Sequence, residues 1–221
     1  MRDRAADQAS GLRQVMAHRD KNSGALVNLL GAGEHAPLLA RLVQIWADAG
    51  GRITVITDFD LVFSQLRENR RRFGLTVLHA MQLGLSRGAI ERIALESDLT
   101  VLALDDNRLA RGFDLPACAQ LVLSDSSPEA VATAYVRLKA CAGLGSPTEV
   151  CTLFDRGSAP TVALAAHQRL AHAASRFLGL RLDCAGVAPE PIAVEAWQRL
   201  AGSIGRWAGQ RSVAAQPVAL H

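Results

Sequence analysis

Short apolar runs alternate with segments of helical periodicity along most of this chain. The first run, residues 25–30, stops at Gly31, and the next, residues 53–57, is β-branched throughout and stops at Asp58. Between them, Pro37 stands where a first helical turn begins, and leucines follow it at helical spacing. A strand–helix–strand unit of about 35 residues has the size of a βαβ crossover. The alternation therefore predicts an α/β fold with a mostly parallel sheet and helices on both faces.

The same alternation continues towards the end of the chain. Further apolar runs predict strands at residues 99–104, 119–123, 149–154 and 180–184. Periodic segments predict helices over residues 77–95, 129–142, 161–177 and 191–208. We interpret residues 66–72 as a polar, basic segment and residues 209–221 as a tail.

Composition excludes several classes of protein. Apolar residues make up 49% of the 221 residues, which is enough for a full core. The formal net charge of +3 is too small to indicate a nucleic-acid partner by charge alone. The four cysteines form no C-x-x-C pair, and His167 and His172 do not share a helical face, so we expect no metal site. No apolar run approaches the ~20 residues that span a bilayer, so we expect a cytoplasmic protein with core or surface thiols.

The N-terminal segment carries one informative string, D-Q-A-S-G-L-R at residues 7–13. A helix there would place Ala9 and Leu12 on one face and leave Gln8 off it. The string resembles the D-Q-A-x-x-L-R activator segment of the MinD-like regulators of flagellar number, the FlhG/FleN family. In that family the segment reaches FlhF, a GTPase of the signal-recognition-particle (SRP) class, and stimulates its hydrolysis. The resemblance implies partner-activating residues Asp7, Gln8, Ala9, Leu12 and Arg13; the alternative is a frayed helix with one apolar side.

The body of the chain resembles the deviant P-loop NTPases of the MinD/ParA type in the order of its strand-end motifs. Asp58-Phe59-Asp60 matches the D-x-D strand end, and Asp105 falls at the switch position. Asp125 opens a turn like the family's D-E-P-T-S, and residues 176–189 are similar to its R-F-L, L-D and G-x-V-P ending. The resemblance covers about residues 7–195 and implies the MinD/ParA-like fold.

The phosphate loop departs from that family. Residues 31–37 read G-A-G-E-H-A-P, with no lysine to neutralise phosphates and no Ser or Thr to hold Mg²⁺. Glu34 adds a charge of the wrong sign, and Pro37 removes a backbone donor. We therefore expect no cofactor, although the family uses ATP and Mg²⁺. The resemblance leaves a degenerate nucleotide pocket at Gly31, Gly33, Asp58, Asp60, Asp105 and Asp125; the alternative for Asp58, Asp60 and Asp105 is to cap the next helix.

The last predicted helix carries an apolar stripe that includes Trp197, Leu200, Ile204 and Trp207. MinD-like relatives touch the membrane surface with a C-terminal amphipathic helix, so the stripe is a candidate membrane contact. The alternative is a helix that packs on the sheet. Because the stripe has to be covered, we expect both tryptophans to be at least partly buried.

These interpretations divide the chain into an activator arm (1–20), a degenerate MinD-like domain (21–195) and a C-terminal helix with its tail (196–221). They predict a regulator of flagellar number or placement that binds and stimulates an FlhF-type SRP GTPase, with little or no nucleotide hydrolysis and no catalytic residue of its own. Further expected partners are flagellar basal-body or transcriptional regulators and the inner face of the cell membrane, but not nucleic acid. The alternatives are an active MinD/ParA-like ATPase switch with an unusual phosphate loop, and a structural or DNA-associated ParA-like partner.

Overall fold

The computed structural model describes residues 24–68, 74–111, 113–116, 118–143 and 149–214. Within these residues the strands are β1 Ala25–Leu30, β2 Ile53–Thr57, β3 Leu75–His79, β4 Leu99–Ala103, β5 Ala119–Ser124, β6 Glu149–Phe154 and β7 Arg181–Val187. The helices are α1 Ala36–Asp48, α2 Asp60–Glu68, α3 Arg87–Glu96, α4 Asp106–Ala110, α5 Pro128–Gly143, α6 Pro160–Leu178 and α7 Val194–Ala214, with a 3₁₀ turn at Ala80–Gln82.

The strands form one seven-stranded sheet in the order β3-β2-β4-β1-β5-β6-β7. Every neighbouring pair is parallel. Successive side chains of a strand point to opposite faces. Val27 and Leu29 of β1 therefore enter the core under α1, α2 and α7, whereas Leu26 and Leu30 enter the core under α3, α5 and α6. The predicted α/β architecture, a parallel sheet covered on both faces, is confirmed.

Two sequence-based assignments were wrong. Strand β3 lies where the first part of a helix over residues 77–95 was expected, and α3 begins only at Arg87. Helix α2 begins at Asp60 and ends at Glu68, inside the segment interpreted as polar and basic. Helix α7 continues to Ala214, into the predicted tail. β3 lies at the edge of the sheet and pairs with β2. Such a strand is stabilised by packing against its neighbour, and this packing cannot be seen in the local sequence pattern.

The parallel arrangement places the segments that follow the strands at one edge of the sheet, called here the carboxyl edge. β1 lies between β4 and β5; the helix that follows β1 covers one face, and the helix that follows β5 covers the other. Ligands of open α/β sheets bind outside the carboxyl ends of the strands at such a switch point. The residues after β1 and β5 are therefore where a functional site of this fold is expected.

Candidate functional site

The loop after β1, Gly31 to His35, requires glycine at its first position. Gly31 has a φ of +81°, in the left-handed region, and a Cβ there would lie 2.6 Å from the carbonyl oxygen of Leu123. The backbone N–H of His35 donates to the carbonyl of Gly31 at 3.2 Å and closes the turn. Helix α1 then begins at Ala36 with Pro37 in its first turn, as the sequence predicts.

Gly33 is packed against an aromatic ring from the segment that follows β2. A Cβ at Gly33 would lie 2.6 Å from the ring of Phe59, which directly follows Asp58. Phe59 is itself partly buried against the core under α1. The ring therefore covers one side of the loop, at the place where a phosphate-binding loop would need free space around its backbone.

Arg137, on α5, is the central side chain of the site. Its Nη2 donates to Oε1 of Glu34 at 2.7 Å, its Nη1 to Oε2 of the same residue at 3.2 Å, and its Nε to Oδ2 of Asp106 at 2.7 Å. The Arg137 side chain is only 9% exposed. Its Nη1 would lie 3.0 Å from a Cβ on Gly31, so the guanidinium rests against the loop backbone. These contacts form an ion-pair cluster, called here the Arg137 cluster.

The charges of the Arg137 cluster are fixed by these contacts. The hydrogen bond from Arg137 is the main reason why the pKa of Glu34 is lowered. Burial acts to lower the pKa of Arg137, but the hydrogen bonds with Glu34 and Asp106 outweigh it and raise that pKa. The one cation buried beside the loop, among the residues that the structure describes, is therefore neutralised by the chain's own carboxylates.

The carboxylate of Asp58, the first residue of the D-x-D motif, is also paired within the chain. Both of its carboxylate oxygens accept from Arg108 of α4 at 2.8 Å, a bidentate pair. Oδ2 accepts a further hydrogen bond from the backbone N–H of Asp105 at 3.1 Å. The hydrogen bond with Asp58 is the first reason why the pKa of Arg108 is raised. Asp58 thus joins the end of β2 to the end of β4.

The remaining aspartates of the predicted pocket lie in turns or at the starts of helices. Oδ1 of Asp105 accepts from the backbone N–H of Asn107 at 2.6 Å, at the start of α4. Oδ1 of Asp125 accepts from the backbone N–H of Ser127 at 2.7 Å, just before α5, and hydrogen bonds with Ser127 lower the pKa of Asp125. Both are contacts within turns that precede a helix, and for Asp105 this is the alternative that the sequence left open. Asp60 lies in the first turn of α2, is almost fully exposed, and is 3.2 Å from Nε2 of His79.

The structure therefore divides the predicted pocket. Gly31 and Asp125 lie near Glu34, whose pKa responds to the charge of Asp125. Asp58 and Asp105 form a second group around Arg108. The sequence reasoning missed Arg137 and Arg108, and also the pair between Nδ1 of His35 and Oδ2 of Asp155 at 3.3 Å. Those partners are 31 to 120 residues apart in the chain, so no local pattern could identify them.

The residues at the carboxyl edge do not fit Mg-ATP. A triphosphate would meet Glu34 at the loop, while the guanidinium of Arg137 beside the loop is already held by Glu34 and Asp106. Phe59 covers Gly33, and residues 31–37 include no lysine or hydroxyl side chain. Binding and hydrolysis of a triphosphate depend mainly on such electrostatic contacts. We assign no catalytic step to these residues.

The apolar stripe of α7 faces the sheet. Trp197 is 4% exposed and donates its indole N–H to the carbonyl of Glu190 at 3.1 Å; Leu200 and Ile204 are buried, and Trp207 packs partly buried against the same core. Burial of both tryptophans is thus confirmed. In this arrangement the candidate membrane contact at Trp197, Leu200, Ile204 and Trp207 is covered by the body. These side chains pack against the apolar face of the sheet. Across the described segments, no helix combines the length and the apolar character needed to cross a membrane.

Two other predictions have different outcomes. Three of the four cysteines are buried and Cys184 is exposed, so the thiols are core or surface residues as expected. The activator residues Asp7, Gln8, Ala9, Leu12 and Arg13 lie outside the described residues. The role of the arm therefore stays a prediction.

Comparison with known proteins identifies the fold. No protein-family model and no curated protein sequence matches the chain. The structure is similar to the MinD cell division protein of Aquifex aeolicus, with 14% identity, a TM-score of 0.51, and 90% of this chain and 100% of that chain covered. It is similar to the cell division protein FtsY of Thermotoga maritima, with 15% identity, a TM-score of 0.50, and coverage of 86% and 75%. It is also similar to HypB from Helicobacter pylori, in complex with nickel, with 11% identity, a TM-score of 0.50, and coverage of 97% and 100%. The chain therefore has a MinD-like P-loop NTPase fold in which the Arg137 cluster and Phe59 fill the phosphate-loop region.

Proposed function

We propose that this protein is a MinD-like regulator without nucleotide hydrolysis of its own, which binds an FlhF-type SRP GTPase through its N-terminal arm and stimulates it. Through that GTPase it would influence flagellar number or placement. The D-Q-A-x-x-L-R string at residues 7–13 and the MinD-like fold support this proposal. The Arg137 cluster is the observation that carries it, because a phosphate-loop region whose buried cation is already paired with carboxylates favours the arm as the active part.

The residue types of the arm suit this role. A glutamine can orient the attacking water in GTP hydrolysis, and an arginine can offset the developing charge. In this proposal Gln8 completes the partner's active site, Leu12 packs against the partner, and Arg13 anchors the arm. Ser10 and Gly11 make the segment a poor isolated helix, so it would order on docking.

The first described residue, Gly24, lies directly before β1, and the Gly31 loop follows the other end of that strand. Six residues of strand separate these points, which is about 20 Å. In this proposal the arm is therefore attached at the amino edge of the sheet, opposite the degenerate pocket.

The test is GTP turnover by an FlhF-type GTPase, with the full-length protein and with a peptide of residues 1–20. Both should stimulate turnover; Gln8→Ala should abolish the stimulation and Leu12→Ala should weaken it. Gln14→Ala is the matched control, because it removes a glutamine of the same arm outside the motif. Stimulation by the full-length protein but not by the peptide would show that the arm is not the activator.

A further inference from the structure

An open groove runs between α1 and α7, on the face of the sheet opposite α5. Its volume is 920 Å³, and it is lined by both helices and by the end of β7. A second cavity of 500 Å³ shares Arg41 and Pro189 with it, which extends the groove towards the start of α1. None of the residues of the Arg137 cluster lines either cavity, but Pro37 and Asp155 line the second one, so the groove reaches the carboxyl edge at the start of α1.

The lining of the groove is partly apolar. Ile45 and Leu200 lie in its wall and are buried, and Val187 lies there at the end of β7. At the start of α7, Val194 also lines the groove and is 51% exposed, and Ile192 before it is 90% exposed. A concave surface with apolar walls and exposed apolar side chains beside it suits an apolar ligand face.

The charged residues of the groove are mostly basic. Arg41, Arg199 and Arg206 line the first cavity against one carboxylate, Asp48, and the second cavity adds Arg156 and Asp155. Arg199 and Arg206 are two helical turns apart on α7, about 10 Å. Within the described segments, neither of these two arginines forms an ion pair. Nε of Arg41 is buried without a hydrogen-bond partner in the described structure, and its Nη2 reaches only the carbonyl of Pro191, at 3.4 Å.

We propose that this groove binds an acidic, amphipathic helical segment of a partner protein. Apolar side chains of the segment would pack on the exposed side chains of Val194 and Ile192, and its carboxylates would pair with the three arginines. This is the helix-in-groove mode of recognition, in which charge complementarity selects the partner.

The chain's own N-terminal residues do not have the complementary charge. Residues 1–23 contain five basic and three acidic side chains, namely Arg2, Arg4, Arg13, Arg19 and Lys21 against Asp3, Asp7 and Asp20. A segment with a net positive charge is repelled by a basic groove. The occupant is therefore a separate acidic partner, and this inference holds whether or not the arm acts on a GTPase.

The experiment uses the full-length protein and a fluorescein-labelled peptide of about 18 residues, five helical turns, with Leu and Glu at amphipathic spacing. A peptide with every Glu replaced by Lys is the control ligand. We expect the acidic peptide to bind at low salt in fluorescence anisotropy, and R199E/R206E to weaken it at least about tenfold. Val194→Ser should weaken it several-fold. The matched variant R92E/R169E, which reverses two exposed charges on α3 and α6 of the opposite face, should not weaken it.

Hydrogen exchange locates the binding, and circular dichroism confirms that each variant is folded. Protection by the acidic peptide should appear in residues 36–48 and 194–206. Absence of binding, equal binding of the Lys peptide, equal weakening by R92E/R169E, or protection elsewhere would each overturn the proposal. Binding of phosphatidylglycerol vesicles that depends on Arg199 and Arg206, without binding of the peptide, would overturn it in favour of a lipid surface.

Discussion

At the scale of single residues, Arg137 joins three parts of the chain. It links the loop after β1, through Glu34, to the start of α4, through Asp106, while its own helix follows β5. A nearly buried guanidinium needs both partners, because an unpaired buried charge is strongly destabilising. A charge cluster of this kind gives the loop a stable conformation that uses no phosphate.

Replacing Arg137 should therefore destabilise the protein. We expect Arg137→Ala to lower the free energy of unfolding by about 2 kcal/mol, below the value for fully buried pairs because both partner carboxylates are substantially exposed. Glu34→Gln should cost about 0.5–1 kcal/mol, since Glu34 is mostly exposed. Urea denaturation measures these values, with Arg92→Ala as an exposed control within about 0.5 kcal/mol of wild type. Equal stability of Arg137→Ala and the control would contradict the role of the cluster.

The pH dependence of stability should report the same contact. The pKa of Glu34 is lowered in the folded protein, chiefly by its hydrogen bond with Arg137. A carboxyl group with a lowered folded pKa stabilises the fold above its unfolded pKa of about 4.3, and that contribution is lost as the pH falls through the folded value. Wild type should thus lose stability below about pH 5 more steeply than Glu34→Gln. Urea midpoints from pH 7 to pH 3 test this; parallel curves for the two proteins would exclude the contribution.

At the scale of secondary-structure elements, α7 covers one face of the sheet. Trp46 of α1 donates its indole N–H to the carbonyl of Ala201 at 2.8 Å, and Trp197 and Ile204 are buried beside it. The helix is an integral part of the core rather than an appendage. Its apolar stripe packs against α1 and the sheet.

This packing predicts the response of the protein to lipid. Trp197 should fluoresce at the wavelength of a buried indole without lipid, and anionic vesicles should cause no further blue shift. Trp197→Ala should lower the free energy of unfolding by about 3–5 kcal/mol, as for other large core truncations. The measurement is tryptophan emission in single Trp→Phe variants, which separate Trp46 and Trp207, together with vesicle sedimentation. A blue shift that occurs only with vesicles would mean that the stripe leaves the sheet for the membrane.

At the scale of the whole molecule, the fold is MinD-like, and the site at the switch point of its sheet is filled by the chain's own side chains. The carboxyl ends of β1, β2, β4 and β5 are joined by ion pairs and cap contacts between neighbouring loops. Those contacts hold the loops together without a ligand. The body should therefore have one conformation in the presence and in the absence of nucleotide.

Nucleotide should accordingly leave the stability of the protein unchanged. A ligand present at about 100 times its dissociation constant would add about 2.7 kcal/mol to the free energy of unfolding. We expect millimolar Mg-ATP and Mg-ADP to produce no rise in melting temperature, and no saturable heat in isothermal titration. A micromolar dissociation constant that is abolished by altering Gly31 or Gly33 would restore the alternative of an active ATPase switch.

The sequence by itself determined those features that depend on near neighbours. The strand at residues 25–30, the glycine at 31 and the start of α1 at Pro37 all follow from local pattern and backbone preference. The parallel sheet also follows from the sequence, because strands that alternate with helices are typical of α/β folds with a parallel sheet. The missing lysine of the loop was also visible in the sequence alone.

Only the tertiary structure decided which groups meet. Glu34 and Arg137 are 103 residues apart, and Asp58 and Arg108 are 50 apart, so no periodicity could pair them. Residues 75–79 form β3 because their backbone pairs with the edge of β2, although residues 77–95 carry a helical pattern. By composition, the apolar stripe of α7 could pack on a membrane or on a sheet. In the structure it packs on the sheet, because the face of the sheet under α7 is apolar. Long-range contacts of this kind arise from the packing of distant segments, which local propensity does not encode.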